Sequence, residues 1–140
     1  MKRVVIESPF KTVTFDLNGQ SFTLFEEGNL AYARAAAHDC LVNHGEAPWA
    51  SHLLYPQPGI LRDDVAEERV HGITAGLVWS ECAEKCVVYI DRGITEGMRK
   101  YGIPGAEKKG QPIEYRRIGV LAIPEFADLT PEQLIALPII

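Results

Sequence analysis

The chain has 140 residues, 46% of them apolar and 24% charged, with a formal net charge of −5. Its length suits one domain with a core of several strands and flanking helices, and its composition is that of ordinary globular proteins rather than disordered or fibrous ones. The acidic balance disfavours a coat for bulk nucleic acid, whose affinity comes from Lys and Arg neutralising phosphates.

In chain order, the opening MKRVVIESPF carries only a three-residue apolar run, too short for a secretory signal core. No segment approaches the roughly 20 apolar residues of a membrane span, so a cytoplasmic protein without membrane contact is expected. RVVI, residues 3–6, is a short buried strand that Pro9 brings to an end. KTVTFDLNGQSFTLF then alternates apolar and polar residues on either side of Asn18-Gly19, a pair suited to the positive φ angles of a tight turn. A β-hairpin is expected at about 12–17 and 20–25, inserted before the first helix.

From Asn29 the period changes to helical, through Leu30, Ala33, Ala37, Cys40, Leu41 and His44 up to Gly45, giving a helix of about 28–44. Residues 46–50 form a short strand. Asp64 and Glu67 stand at capping-box spacing, and Ala66, Val70, Ile73 and Leu77 mark the buried stripe of a second helix reaching about Cys82. CVVYI, residues 86–90, reads as a strand buried on both faces of a parallel sheet. The turn DRGITEGM and an irregular helix to about Lys109 follow, and PIEYRRIGVLAI supplies a further strand. Thr130, Pro131 and Gln133 are an N-cap, an N1 proline and a capping partner for a helix of about 131–137. The expected whole is an α/β fold: a Rossmann-like or flavodoxin-like parallel sheet with helices on both faces, the inserted hairpin near 12–25, and residues 120–140 as a C-terminal extension of a single 1–140 domain.

Such sheets bind ligands beyond the carboxyl ends of the strands, near the point where strand order reverses. That selects Glu7-Ser8-Pro9 and Asp91 to Met98, with the loop from His52 to Gln57 as a third wall. In the glycine turn, the amides around Thr95, Gly97 and Met98, with Gly93 allowing close approach, could hold a phosphate; a plain helix start is the competing reading. Glu7-Ser8-Pro9 has the competing reading of a strand terminator, and His52 that of a hydrogen-bonded structural histidine. Six of the fourteen basic residues, Arg99, Lys100, Lys108, Lys109, Arg116 and Arg117, cluster where they could favour a small anion or merely form a solvated face. Asp63, Asp64, Glu67 and Glu68 are what a helix dipole favours in a first turn. Cys40, Cys82 and Cys86 form no CxxC pair, and the histidines have no HxxxH or HExxH spacing, so no metal, disulfide framework or cofactor is expected.

A first strand ending in Ser-Pro, the helix NLAYARAAAHDCLVNHG, then APWASHLLYPQ, then a helix before VVYIDRGITEGM, together resemble the nucleoside 2-deoxyribosyltransferase-like superfamily, some of whose members are encoded by phages. The resemblance covers about residues 1–119, apart from the hairpin. It implies a sheet that binds a nucleoside or nucleotide and a protein that assembles at least as a dimer. In catalytic members a glutamate on the helix after the glycine turn attacks the anomeric carbon, and an aspartate holds the sugar hydroxyls. Asp91 matches an acidic position at the strand end, and Thr95 and Gly97 match the phosphate-receiving turn. This chain departs at the nucleophile, where Tyr101 stands in an ungapped match and Gly102 if one residue is inserted. Two function classes follow. One is a module that holds a nucleotide or nucleotide-derived signal, with sequestration as its use. The other is an N-glycosidase or deoxyribosyltransferase in which Glu96, assisted by Asp91, or another carboxylate brought in by folding does the work.

Overall fold

A computed structural model describes residues 1–140. Four parallel strands, β1 (Arg3–Glu7), β4 (Ala47–Trp49), β5 (Lys85–Tyr89) and β6 (Ile113–Arg116), form one sheet in the order β4-β1-β5-β6. The chain therefore reverses its direction of growth between β1 and β5, the crevice in which open α/β sheets bind ligands. A separate antiparallel hairpin pairs β2 (Val13–Leu17) with β3 (Gln20–Leu24). Asn18 and Gly19 turn it with φ of 53° and 85°, as the Asn-Gly pair requires.

The two-residue alternation of the central strands sorts the core. Val4, Ile6, Val87 and Tyr89 face helix α1 (Glu26–Asn43), where they meet Tyr32, Ala36 and Cys40. Val5, Cys86 and Val88 face the opposite way, against Met98 and against Ile103 and Ala106 of helix α3 (Ile103–Lys108). This second face also takes Phe15 and Leu24 of the hairpin, together with Phe126 and Leu134. CVVY is apolar throughout because β5 is covered on both faces.

Several expectations change. Helix α1 buries Asn29, Tyr32, Ala33, Ala36, Asp39 and Cys40, while Leu41 is exposed, so its inward face is rotated from the apolar stripe. Helix α2 (Ala66–Ser80) buries only Gly76, and Val70, Ile73 and Leu77 are all at least half exposed. The apolar periodicity of α2 is real, but nothing in one chain covers it. Its expected capping box is absent too: Val65 is the N-cap, and Asp64 pairs with Arg62 instead.

The C-terminal Pro138-Ile139-Ile140 is tied to the hairpin. Asp16 N donates to Pro138 O and Ile140 N to Thr14 O, each at 2.9 Å, and Ile139 bridges to Phe15. Helix α4 (Pro131–Ala136) begins with the expected capping box of Thr130 and Gln133. On the α1 side, Arg116 at the end of β6 makes two 2.8 Å bonds to Glu46, which precedes β4, and one of 3.1 Å to Tyr89 OH. Both edges of the sheet are thereby tied to its centre.

Candidate functional site

The end of β1 meets the loop after β4 and a deformed helix after β5. The helical run that follows the DRGITEGM turn contains a π-helical turn, Met98–Gly102, before it becomes α3. A π turn is a one-residue insertion in an α-helix and is common at functional sites. Its last residue, Gly102, has ordinary helical angles, so no backbone constraint calls for glycine. The reason lies opposite: a methyl group on Gly102 would overlap the Glu7 carboxyl. Glu7 and Gly102 thus share one space, the strand supplying the side chain and the helix the gap.

The Glu7 carboxyl takes no hydrogen bond from the chain, and its removal from water pushes its pKa from 4.5 to about 7, against a small opposing effect of Lys109. Part of the residue still reaches the surface, so the carboxyl is poorly solvated without being sealed in. The neighbouring Ser8 is buried, and its Oγ lies 3.0 Å from His52 Nε2. Burial pushes the His52 imidazole down to about 4, leaving it neutral at pH 7 and a weak base. His52 sits in a single 3₁₀ turn, Ser51–Leu53; its carbonyl accepts from Gln57 Nε2 at 2.8 Å, and its ring lies 5.8 Å from that of Phe10. Ser8 and His52 are therefore in contact, while the Glu7 carboxyl lies against Gly102. Pro9 is buried beside them as packing.

The residues after β5 are used differently. Asp91 is almost fully buried and its carboxylate is occupied by the chain: Oδ2 accepts from Tyr32 OH at 2.6 Å and Ile118 N at 2.9 Å, and Oδ1 from Gly119 N at 2.9 Å. Arg92 reaches Asn29 Oδ1 at 2.9 Å and Leu121 O at 2.8 Å, and Asn29 in turn donates to Phe10 O and Lys11 O. Together these bonds tie down the loops after β1, β5 and β6. Gly93, at φ 89°, has no room for a ligand: a Cβ there would stand 3.0 Å from the Phe15 ring and 3.2 Å from Phe126. The hairpin and the C-terminal extension occupy that approach.

Thr95 N points to Met98 Sδ at 3.5 Å, and Met98 is buried in the core. Gly97 is exposed with open space beside it, and Glu96 is exposed and paired with Lys100 at 3.0 Å. Tyr101 is 72% exposed.

The basic cluster does not converge on an anion site. Arg99 is spent on the carbonyls of Ile94, Leu134 and Leu137, and Arg117 on those of Phe126 and Leu129. Arg116 is buried against Glu46. No group of three or more His, Cys, Asp or Glu side chains is arranged to hold a metal ion, and no helix is long and apolar enough to cross a membrane. Two shallow depressions lie elsewhere, around Glu67 and His71 on α2 and around His38, Asp39 and Arg117 beside α1. The chemistry of Glu7, rather than depth, marks the end of β1. Sequence reasoning named Glu7 only as a wall; a glycine inside a helix, Gly102, was the available signal for its partner.

The fold is also found in a 2-deoxyribosyltransferase of the psychrotolerant bacterium Bacillus psychrosaccharolyticus, which matches with a TM-score of 0.54 at 13% identity over 82% of this chain and 72% of that one. That similarity supports a distant deoxyribosyltransferase-like, Rossmann-like fold. No curated protein matches the sequence. A family model matches residues 2–116, a span running from the start of β1 to the end of β6, and the chain belongs to that family, the domain of unknown function DUF7768.

Proposed function

We propose that the protein binds a nucleoside or nucleotide at the carboxyl end of β1, in the crevice between β1 and β5. The observation that carries this reading is the unpartnered, poorly solvated carboxyl of Glu7 at the point of strand-order reversal. A folded protein gains nothing from such a group unless something else uses it, since a buried carboxyl without partners costs stability. A ligand with adjacent hydroxyls, as on a sugar, would give Glu7 the hydrogen bonds that the chain withholds. Ser8 and neutral His52 offer a second polar point of contact, and the phenyl ring of Phe10 a flat apolar surface for a base. The deoxyribosyltransferase-like fold is consistent with this ligand class.

The open space beside exposed Gly97 supports a 5′ phosphate at the start of the helical run. The uncovered apolar face of α2 supports assembly with a second copy.

Isothermal titration with a panel of nucleosides and nucleoside monophosphates tests the binding reading. At least one member should bind, and Gly97→Val should weaken a monophosphate while sparing the corresponding nucleoside. Absence of binding across the panel would refute it.

A further inference from the structure

We propose that Glu7 and the π-helical turn Met98–Gly102 form a pH-sensitive switch: with its carboxyl neutral and seated in the gap over Gly102, Glu7 holds the turn closed, and when the carboxyl ionises it leaves the gap and the turn opens. The switch belongs to the chain itself, and only its effect on a ligand rests on the binding reading above.

The build of the turn leads here. Met98 and Ile103 are buried at its two ends, and Arg99 is fixed by the carbonyls of Ile94, Leu134 and Leu137. Between these anchors Lys100 and Tyr101 are exposed, and Gly102, with no side chain of its own, bears on the Glu7 carboxyl. The hydrogen bonding is thin as well: Ile103 N donates to Met98 O, five residues back, and Pro104 has no N–H to give to the turn before it. The Glu7 carboxyl is thus seated against the middle of a turn that its own bonds hold weakly. No hydrogen bond from the chain fixes the carboxyl there, so only contact keeps it in the gap.

A carboxylate is far more costly than a neutral carboxyl in a poorly solvated gap. Two groups act on Glu7 from the elements packed around it. The Cys86 thiol on β5, pushed up to about 12 by burial, stays neutral, and Lys109, just after α3, favours the charged form of Glu7. The other charged residues nearby are engaged or in solvent: Arg3 of β1 pairs with Glu84 and Lys100 with Glu96, while Glu107 and Lys108 of α3 are exposed. The short strand β4 carries no charged residue. Lys109 therefore gives the ionised carboxylate a destination outside the gap.

The seated carboxyl titrates at about 7 and a released one at the ordinary 4.5. The ratio of open to closed turn is therefore lowest below 4.5, rises through that interval and levels off above 7. Between pH 5 and pH 8 the rise is about 70-fold for a carboxyl wholly without water, and partial access to solvent lowers it to about 10-fold. A ligand held against the closed turn should bind more weakly at pH 8 than at pH 5.

The test is amide hydrogen exchange of the intact, ligand-free protein at pH 5 and pH 8, followed by NMR and corrected for the intrinsic effect of pH on exchange. The reporter is the Ile103 amide, whose bond to Met98 O closes the turn. In the parent its protection should fall at least about 10-fold from pH 5 to pH 8, by a local opening that low urea does not accelerate. Glu7→Gln cannot ionise, and its Ile103 should stay as protected at pH 8 as at pH 5. Gly102→Ala fills the gap, so the carboxyl is already outside it and Ile103 exchange should no longer respond to pH, whatever its rate. Melting curves confirm that both variants fold. Equal protection at the two pH values in the parent would overturn the switch, as would a pH response of the parent's size in either variant. A loss of protection that grows with urea, as global unfolding does, would overturn it too. No ligand enters these measurements, so each of these outcomes leaves the binding reading standing, and that reading fails only in the titrations described above.

Discussion

Replacing Glu7 by glutamine should change how the stability of the protein depends on pH, whatever the ligand proves to be. The folded pKa of about 7 lies above the unfolded value of 4.5. Between those values the native chain holds a proton that the unfolded chain has released, so Glu7's contribution is fully present below 4.5 and is lost as pH rises through 7. At about 1.4 kcal/mol per pH unit the full effect is about 3.5 kcal/mol. Partial access of the residue to solvent lowers this to about 1.5–3 kcal/mol. For a chain of this size that corresponds to roughly 5–10 °C in Tm. The assay is urea or thermal unfolding of parent and Glu7→Gln at pH 5 and pH 8. His52, with a folded value of about 4, contributes with the opposite sign over the acid part of this range, but it is present in both proteins and cancels in the comparison. Glutamine cannot ionise, so the variant should be the more stable protein at pH 8 and close to the parent at pH 5. Parallel pH profiles for the two proteins would refute the claim that the Glu7 carboxyl is poorly solvated, and with it the physical basis of the site.

How much of this could be read from the residues depended on whether the governing interaction was local. The Asn18-Gly19 turn, the buried run of β5 and the Thr130–Gln133 cap were legible because turn chemistry, strand burial and capping each act within a few positions. The alternation of elements picked out the loops after β1 and β5, and the strand order places both beside its reversal, with Ser8 against His52. What failed was long-range. The inward face of α1 includes Tyr32 and Asp39, polar residues whose partners, Asp91 and Tyr89, lie 59 and 50 positions away. The apolar stripe of α2 was correctly seen as apolar, but periodicity cannot say whether its cover is the same chain or another. Gly93 looked like an opening for a ligand because a hairpin and a C-terminal extension with no place in the resemblance could not be docked from sequence. The pairing of Glu7 with Gly102 joins residues 95 positions apart, and only the fold brings them together.

Three further outcomes are expected. Glu46→Ala leaves Arg116 buried without its main partner and should cost about 3–5 kcal/mol by urea unfolding at pH 7. Hydrogen bonds from Arg116, opposed by burial, hold the Glu46 carboxyl down at about 2, so its contribution in the parent is present above 4.5 and lost as pH falls towards 2. Ile73→Lys together with Leu77→Lys places charge on the exposed apolar face of α2; sedimentation should show the parent as a dimer or larger and the double variant as a monomer, and a monomeric parent at micromolar concentration would remove the assembly proposal. Asp91→Asn separates a clamp from a ligand contact. The three hydrogen bonds to Asp91 come from Tyr32 OH, Ile118 N and Gly119 N, all donors, and the Tyr32 oxygen accepts one back from Asp91 N at 2.9 Å. An asparagine amide can offer an acceptor to one side only, so its NH₂ group must face a donor, and at least one buried N–H or O–H loses its partner. Charge-assisted bonds of this kind contribute about 1.5–3 kcal/mol each. Asp91→Asn should therefore lose about 2–4 kcal/mol of stability, and Tyr32→Phe, which removes the hydroxyl alone, about 1–2 kcal/mol. If Asp91 serves a ligand instead, its replacement would leave unfolding within about 0.5 kcal/mol of the parent and abolish nucleoside binding. Unfolding curves and titration calorimetry on the same preparation distinguish the two, because the clamp predicts a loss of stability that is present without any ligand.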